Sequence, residues 1–85
     1  MKIEFVKRSY GWWSVTLNGK SIINIDEAVE RLFGRRTEIE KKDIDAFSKW
    51  ICESNKEVIN KYSIDEYELR NVIKKSLIDF LSRFQ

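Results

Sequence analysis

The residue types that most often carry out chemistry are scarce in this chain of 85 residues. It contains no histidine, which removes the commonest general base near neutral pH and the usual metal ligand. Its one cysteine, Cys52, cannot build a thiolate zinc site, and it lies off the apolar stripe of its predicted helix. The three glycines are too dispersed for a phosphate-binding loop. We therefore predict a protein that is not an enzyme and that holds no metal or cofactor.

Carboxylates are plentiful, but none of them forms a convincing acid–base pair. The sequence Glu40-Lys41-Lys42 is similar to the E-x-K motif of metal-dependent nucleases, which lies on a strand with a further acid upstream. Here the sequence follows the capping box that begins at Thr37, where acidic side chains offset the dipole of a starting helix. The acids between Asp26 and Glu30 also cluster at a predicted helix start. We interpret both groups as structural.

Two adjacent tryptophans, Trp12 and Trp13, mark the clearest candidate for a binding surface. The alternating stretch WWSVTL puts Trp13 on one face of a strand and Trp12 on the other. An outward Trp beside cations suits a protein partner, because Trp, Tyr and Arg are enriched at binding hot spots. It also suits nucleic acid, where aromatic rings stack on bases while Lys and Arg contact phosphates. The alternative is that the protein's own last helix covers these rings. The candidate partner-binding residues are Arg8, Tyr10, Trp12, Ser14, Thr16, Lys20, Arg35 and Arg36.

Short alternating runs predict the sheet that positions these residues. The runs KIEFVKR and WWSVTL are separated by a turn that contains Gly11. Asn18-Gly19 follows, which is the strongest two-residue hairpin signal, because a type I′ turn needs a positive φ at both positions. The run KSIIN then predicts a third strand. The sequence therefore predicts a three-stranded antiparallel meander over residues 2–24.

The remainder of the chain has the pattern of helices. A short helix is predicted over 26–33, with Gly34 at its end. A long helix is predicted from 38 to 53 or 61, with a kink as the alternative because Ser54-Asn55-Lys56-Glu57 is a second box-like signal. A third capping box at Ser63 opens a final helix over 64–84. The predicted core consists of Ile3, Phe5, Trp13, Val15, Leu17, Val29, Leu32, Phe47, Trp50, Ile51, Leu69, Ile73, Leu77 and Phe80.

The final helix is apolar over about half of its circumference, and Ile78 lies outside that arc. Packing between the sheet and the long helix is one explanation. A homodimer or a partner groove is the other.

Composition limits the class of protein. The chain is 42% apolar and 35% charged, which is typical of one globular domain. No apolar run approaches the ~18 residues of a membrane helix, and a single cysteine favours a reducing, cytoplasmic setting. The net charge is +2, and the basic bias lies in residues 1–36, which carry seven basic and four acidic residues. This distribution argues against a mimic of DNA.

The layout of three strands and a helix resembles the AP2 and integrase arm-binding domains, which read DNA through their sheet. The likeness extends over residues 3–33 and includes the sequences YGWW and LNGK; no residue role follows from it. The small size, the helix caps and the missing catalytic groups are similar in type to accessory proteins of phages and mobile elements, including anti-CRISPR proteins that occlude a host nuclease.

Together these features predict an α+β fold, with a three-stranded antiparallel β-meander followed by three α-helices, one short and two long. The predicted function is non-catalytic binding to a protein partner, as an inhibitor or adaptor of phage or mobile-element type. The alternative is a nucleic-acid-binding module that uses the basic, aromatic sheet.

Overall fold

The computed structural model describes residues 2–9, 12–25 and 41–82. These residues form an antiparallel sheet followed by helices, so the predicted α+β meander is confirmed. The predicted short helix over 26–33 lies outside the described residues, and so do Val29 and Leu32 of the predicted core. The chain divides into two compact units, residues 1–39 and 40–85.

The sheet has the strand order β1-β2-β3. Its strands are β1 (Ile3–Ser9), β2 (Trp12–Leu17) and β3 (Lys20–Ile25). The β2–β3 hairpin turns at Asn18 and Gly19, whose φ angles are 52° and 85°, as the type I′ signal predicts. Asn18 also bonds to the residue that precedes β1: its backbone N–H donates to the carbonyl of Lys2, and its side-chain Oδ1 accepts from the Lys2 N–H.

One face of the sheet is apolar and buried, and we call it the apolar face. It consists of Ile3, Phe5, Trp13, Val15, Ile23 and Ile25. The rings of Phe5 and Trp13 stack with their centroids 4.9 Å apart, so the predicted inward orientation of Trp13 is confirmed. Leu17 ends the strand half-buried.

The helices are α1 (Lys41–Ser54), α2 (Lys56–Lys61) and α3 (Glu66–Ser82). The kink that the sequence left open is present, because the chain leaves the helical conformation at Asn55. The Asn55 side-chain amide donates to the Ile51 carbonyl oxygen at 2.8 Å. It replaces the Asn55 backbone N–H, which would bond to that carbonyl in a continuous helix and here donates to Cys52 instead. No helix in the described ranges is long and apolar enough to cross a membrane.

A Schellman motif ends α2. The Ile64 N–H donates to the Ile59 carbonyl at 2.9 Å, and the Ser63 N–H donates to the Asn60 carbonyl at 3.2 Å. Ser63 takes the left-handed conformation (φ 53°) that the motif requires. The predicted role of Ser63 as the cap of the last helix is therefore wrong. Asp65 has that role, since its Oδ1 accepts the Tyr67 N–H at 2.9 Å.

Helices α1 and α3 pack against each other. They run antiparallel, because Asp45 near the start of α1 bonds to Lys74, whereas Lys56 beyond its end bonds to Glu66. The residues of α3 that face inward and are fully buried are Leu69, Ile73 and Leu77, which confirms this part of the predicted core. Phe80 is half-buried.

The buried stripe of α1 differs from the predicted one. It consists of Ile44, Phe47, Ser48, Ile51 and Cys52, which follow the i, i+3, i+4, i+7, i+8 spacing of one helix face. Trp50 lies beside this stripe and is 48% exposed, so its assignment to the core is wrong. Its ring instead packs at a tilt on Phe47 with the centroids 5.8 Å apart. Cys52, expected off the stripe, is fully buried.

Candidate binding surface

The side of the sheet opposite the apolar face carries Trp12, and we call it the Trp12 face. Its described members are Glu4, Val6, Arg8, Trp12, Ser14, Thr16, Ser21 and Asn24. Trp12 is 39% exposed, in keeping with the alternation that points Trp13 inward. This face brings together four of the residues that the sequence singled out, which are Arg8, Trp12, Ser14 and Thr16.

A β-bulge directs Arg8 onto this face. Lys7 pairs with Trp13 and Ser9 pairs with Trp12, so Arg8 is an extra residue without a partner on β2. Bulges of this kind change the direction of a side chain and recur next to functional sites. The Arg8 Nη2 donates to Ser21 Oγ at 3.1 Å. Because Ser21 is on β3, the Arg8 side chain must cross strand β2 to reach it.

A second bulge brings Ser21 to the same face. Val15 pairs with Ile23 while Thr16 pairs with Ser21, so Ile22 is the extra residue on β3. Without it, the period of two would turn the Ser21 side chain to the apolar face. The two bulges together therefore produce the contact between Arg8 and Ser21.

The hydroxyl groups on the central strand are covered. Ser14 is fully buried and Thr16 is 3% exposed, so the expectation that they form part of an open surface needs correction. Ser14 Oγ hydrogen-bonds to Asn24 Oδ1 at 2.8 Å, which satisfies its polarity inside the protein. The exposed side chains of this face are therefore those of Arg8, Trp12, Ser21 and Asn24, and not the two hydroxyl groups of the central strand.

Lys20 does not join this group. It pairs with Leu17 at the hairpin end of β2, whereas Trp12 begins that strand. The two ends are five residue steps apart along the strand, a distance of about 16 Å at the usual rise per residue. Lys20 is exposed, but the pairing puts it on the side of Leu17. Tyr10, Arg35 and Arg36 lie outside the described residues.

Sequence reasoning missed Ser21 and Asn24. The Asn18-Gly19 turn indicates that β3 pairs with β2, so both residues were available as neighbours of the central strand. The sequence does not predict which residues of β2 and β3 lie opposite each other beyond the turn, because a bulge inserts one extra residue and has no recognisable sequence pattern.

The cysteine of the helical unit is not a reactive site. Burial raises the pKa of the Cys52 thiol to about 11, with the nearby Glu66 carboxylate acting in the same direction. A thiol that stays protonated at neutral pH is a poor nucleophile and a poor metal ligand. Within the described ranges, no group of three or more His, Cys, Asp or Glu side chains is arranged to hold a metal ion.

Charge is unevenly divided between the described parts of the two units. The described residues of the sheet unit contain four basic residues, Lys2, Lys7, Arg8 and Lys20, and one acid, Glu4. Residues 41–82 contain eight basic and eight acidic residues. The positive charge of the described chain therefore belongs to the sheet.

Comparison with known proteins finds no relative for this arrangement: the chain matches no protein-family model, no curated protein and no solved structure.

Proposed function

We propose that this protein is a non-catalytic binding module that contacts a protein partner through the Trp12 face. It would act by occupying a surface of that partner, as an inhibitor or adaptor of the kind found among phage accessory proteins. The observation that carries the proposal is the pairing of a partly exposed Trp12 with the bulge residue Arg8, neighbours on adjacent strands.

The two side chains are suited to anchoring because each already has contacts within the protein that restrict it. More than half of the Trp12 side chain is covered, so little rotational freedom remains for binding to remove. The Arg8 guanidinium donates to the Ser21 hydroxyl, and no carboxylate in the described part of the chain is seen to pair with it. Ordering such side chains in advance lowers the entropic cost of association. Trp and Arg are also the residue types that most often dominate protein interfaces.

Nucleic-acid binding is the second candidate, and the basic excess of the sheet favours it. Four basic residues against one acid form a modest electrostatic footprint. The positions of these charges favour it less, since Lys20 lies at the opposite end of β2 from Trp12. Arg8 is then the one described cation adjacent to the ring, and a backbone-tracking groove needs several.

The test uses the intact chain as bait in lysate of a candidate host, one half of which has been treated with nuclease and the other half left untreated. The wild type, Trp12→Ala, Arg8→Gln and Tyr67→Ala are compared by quantitative mass spectrometry. Tyr67 is a matched aromatic control, because it is 74% exposed on α3. Any protein enriched by the wild type is then purified, and its affinity is measured against all four baits.

The proposal expects Tyr67→Ala to bind as the wild type does. Trp12→Ala is expected to bind at least about 30-fold more weakly, which corresponds to a hot-spot loss of about 2 kcal/mol. Arg8→Gln retains the Trp12 ring, so its loss of affinity measures the contribution of the Arg8 guanidinium alone. Equal affinity for all four baits contradicts a role for the Trp12 face. Enrichment that disappears after nuclease treatment supports the nucleic-acid alternative instead.

A further inference from the structure

The turn between α2 and α3 contains a strained residue. Ser63 has a φ of 53° there, a left-handed conformation that is unfavourable for any residue with a Cβ. Its side chain is exposed, and its hydroxyl makes no hydrogen bond in the described part of the chain. The interruption at Asn55 differs, because the Asn55 side chain bonds to the Ile51 carbonyl and stabilises the break. Of these two breaks in the helical unit, the one at Ser63 is therefore the less supported.

The sequence of this turn is compatible with a helix. No proline or glycine occurs between Lys56 and Ser82, so α2 and α3 can form one continuous helix about 40 Å long. Such a helix loses the Schellman bonds of Ser63 and Ile64 and the bond from the Tyr67 N–H to the Asp65 cap. In exchange it gains the regular backbone hydrogen bonds of the added turn and releases the left-handed residue.

The apolar residues of α2 and α3 are in phase across the turn. At about 100° per residue, a continuous helix places them within an arc of about 80°. The residues are Ile59, Tyr62, Leu69, Ile73 and Leu77, which are all buried or half-buried. A turn does not require this agreement, since the two helices that it joins need not share a face. Ile64, which is buried in the turn, leaves the stripe on straightening, and this is the cost of the continuous helix.

A single chain cannot straighten at Ser63 and keep its core. Helix α1 precedes the turn and α3 follows it, and the two pack against each other. Straightening therefore removes α1 from the fully buried residues of α3 and separates Asp45 from Lys74. A second copy of the chain supplies an identical α1, so each of these contacts re-forms between two chains. Short connections under strain favour such an exchange.

From the strained turn and the in-phase stripe we propose that the turn at Ser63 is a hinge, and that two copies of this chain exchange α3 to form a dimer. In this dimer α2 and α3 of each chain form one helix, and each α3 packs on α1 of the other chain. Association costs translational and rotational freedom, so the closed chain predominates at low concentration and the exchanged dimer at high concentration. The inference goes beyond the proposed function and does not depend on the Trp12 face.

The first test changes the hinge and measures the monomer–dimer equilibrium. Full-length chains are unfolded in urea, refolded at low and at high concentration, and weighed by light scattering after size-exclusion chromatography. Ser63→Gly relieves the closed turn and disfavours the continuous helix, so the dissociation constant of the dimer should rise at least about tenfold. Ser63→Ala keeps the Cβ and favours the helix, so that constant should fall. Ser82→Gly is the matched control, because Ser82 is an exposed residue at the end of α3 in both states.

The second test distinguishes an exchanged dimer from two closed chains that associate through another surface. Isotope-labelled and unlabelled chains are mixed in equal amounts, unfolded together and refolded at high concentration. A carbodiimide then joins the Asp45 carboxylate to the Lys74 amine, which are 3.2 Å apart. In the exchanged dimer about half of the joined peptide pairs should contain one labelled and one unlabelled peptide, whereas pairs from the monomer should contain none.

Three results overturn the proposal. One is a dimer whose joined peptide pairs never mix the two isotopes. Another is a wild type and a Ser63→Ala variant that both remain monomeric after refolding at high concentration. The third is a dissociation constant that Ser63→Gly changes no more than Ser82→Gly does.

Discussion

Replacing Ser63 with glycine is expected to stabilise the helical unit. Ser63 is the residue after α2 that adopts a left-handed conformation, with φ at 53°. This conformation costs a residue with a Cβ about 1–2 kcal/mol. Glycine adopts it without that strain, but its greater freedom in the unfolded chain costs about 0.5–1 kcal/mol. Ser63 is exposed, and its hydroxyl makes no hydrogen bond within the described ranges. The expected gain is therefore about 0.5–1 kcal/mol.

Urea unfolding followed by far-ultraviolet circular dichroism measures this gain. With a slope of about 1 kcal/mol per molar urea, the midpoint of Ser63→Gly should rise by about 0.5–1 M. Ala46→Gly provides the matched control, because Ala46 is exposed inside α1 and glycine there should cost about 1 kcal/mol. Ser63→Ala retains the Cβ and should give no gain. If the urea midpoint of Ser63→Gly is unchanged or lower while the slope of the unfolding free energy against urea stays the same, Ser63 is not strained in its left-handed conformation and the prediction is refuted.

Three further predictions concern single residues. Hydrogen bonding and charge from Lys74, with Arg70 beside it, hold the pKa of Asp45 below its ordinary value of 3.8. The ionised Asp45 therefore contributes its full stabilisation above pH 3.8 and loses it as the pH falls through the lowered pKa. Acid unfolding of Asp45→Asn should accordingly depend less on pH than that of the wild type. Because burial raises the pKa of the Cys52 thiol to about 11, a thiol reagent should modify it in native protein at neutral pH far more slowly than in urea, and equal rates contradict its burial. Gly19 has a φ of 85° and open space around it, so Gly19→Ala should lower the free energy of unfolding by about 1 kcal/mol through backbone strain alone; a neutral effect in urea titration contradicts the turn geometry.

The sheet could be predicted from the sequence because its signals are local. Alternation assigned Phe5, Trp13 and Val15 to one face, and Asn18-Gly19 fixed the hairpin. The bulges at Arg8 and Ile22 could not be predicted in this way, since an extra residue interrupts the period of two. These bulges determine which side chains share the face of the sheet that carries Trp12. The sequence therefore predicts only some of the residues that form the candidate surface.

The helices illustrate a different limit. Periodicity predicted that α1 has a buried stripe, but not how that stripe is rotated. Trp50 and Cys52 lie on opposite sides of Ile51, and contact with α3 decides which of them is buried. Ser63 illustrates ambiguity in local signals, because serine is favoured as an N-cap and here occupies a C-terminal position normally taken by glycine. Packing against α3 therefore decides that Cys52 and not Trp50 is buried, and the end of α2 decides the conformation of Ser63; residue propensity decides neither.

The measurement that decides most directly between a protein and a nucleic acid as the partner of the Trp12 face is a tryptophan-fluorescence titration with mixed-sequence single- and double-stranded DNA and RNA. It is carried out at about 50 and 200 mM salt, the range over which phosphate-driven affinity falls steeply. A protein-binding surface predicts no saturable change at either salt concentration. Saturable quenching at low salt that is lost at high salt, and that is reduced in Trp12→Ala but not in Trp50→Ala, would contradict the proposal and identify the sheet as a nucleic-acid surface.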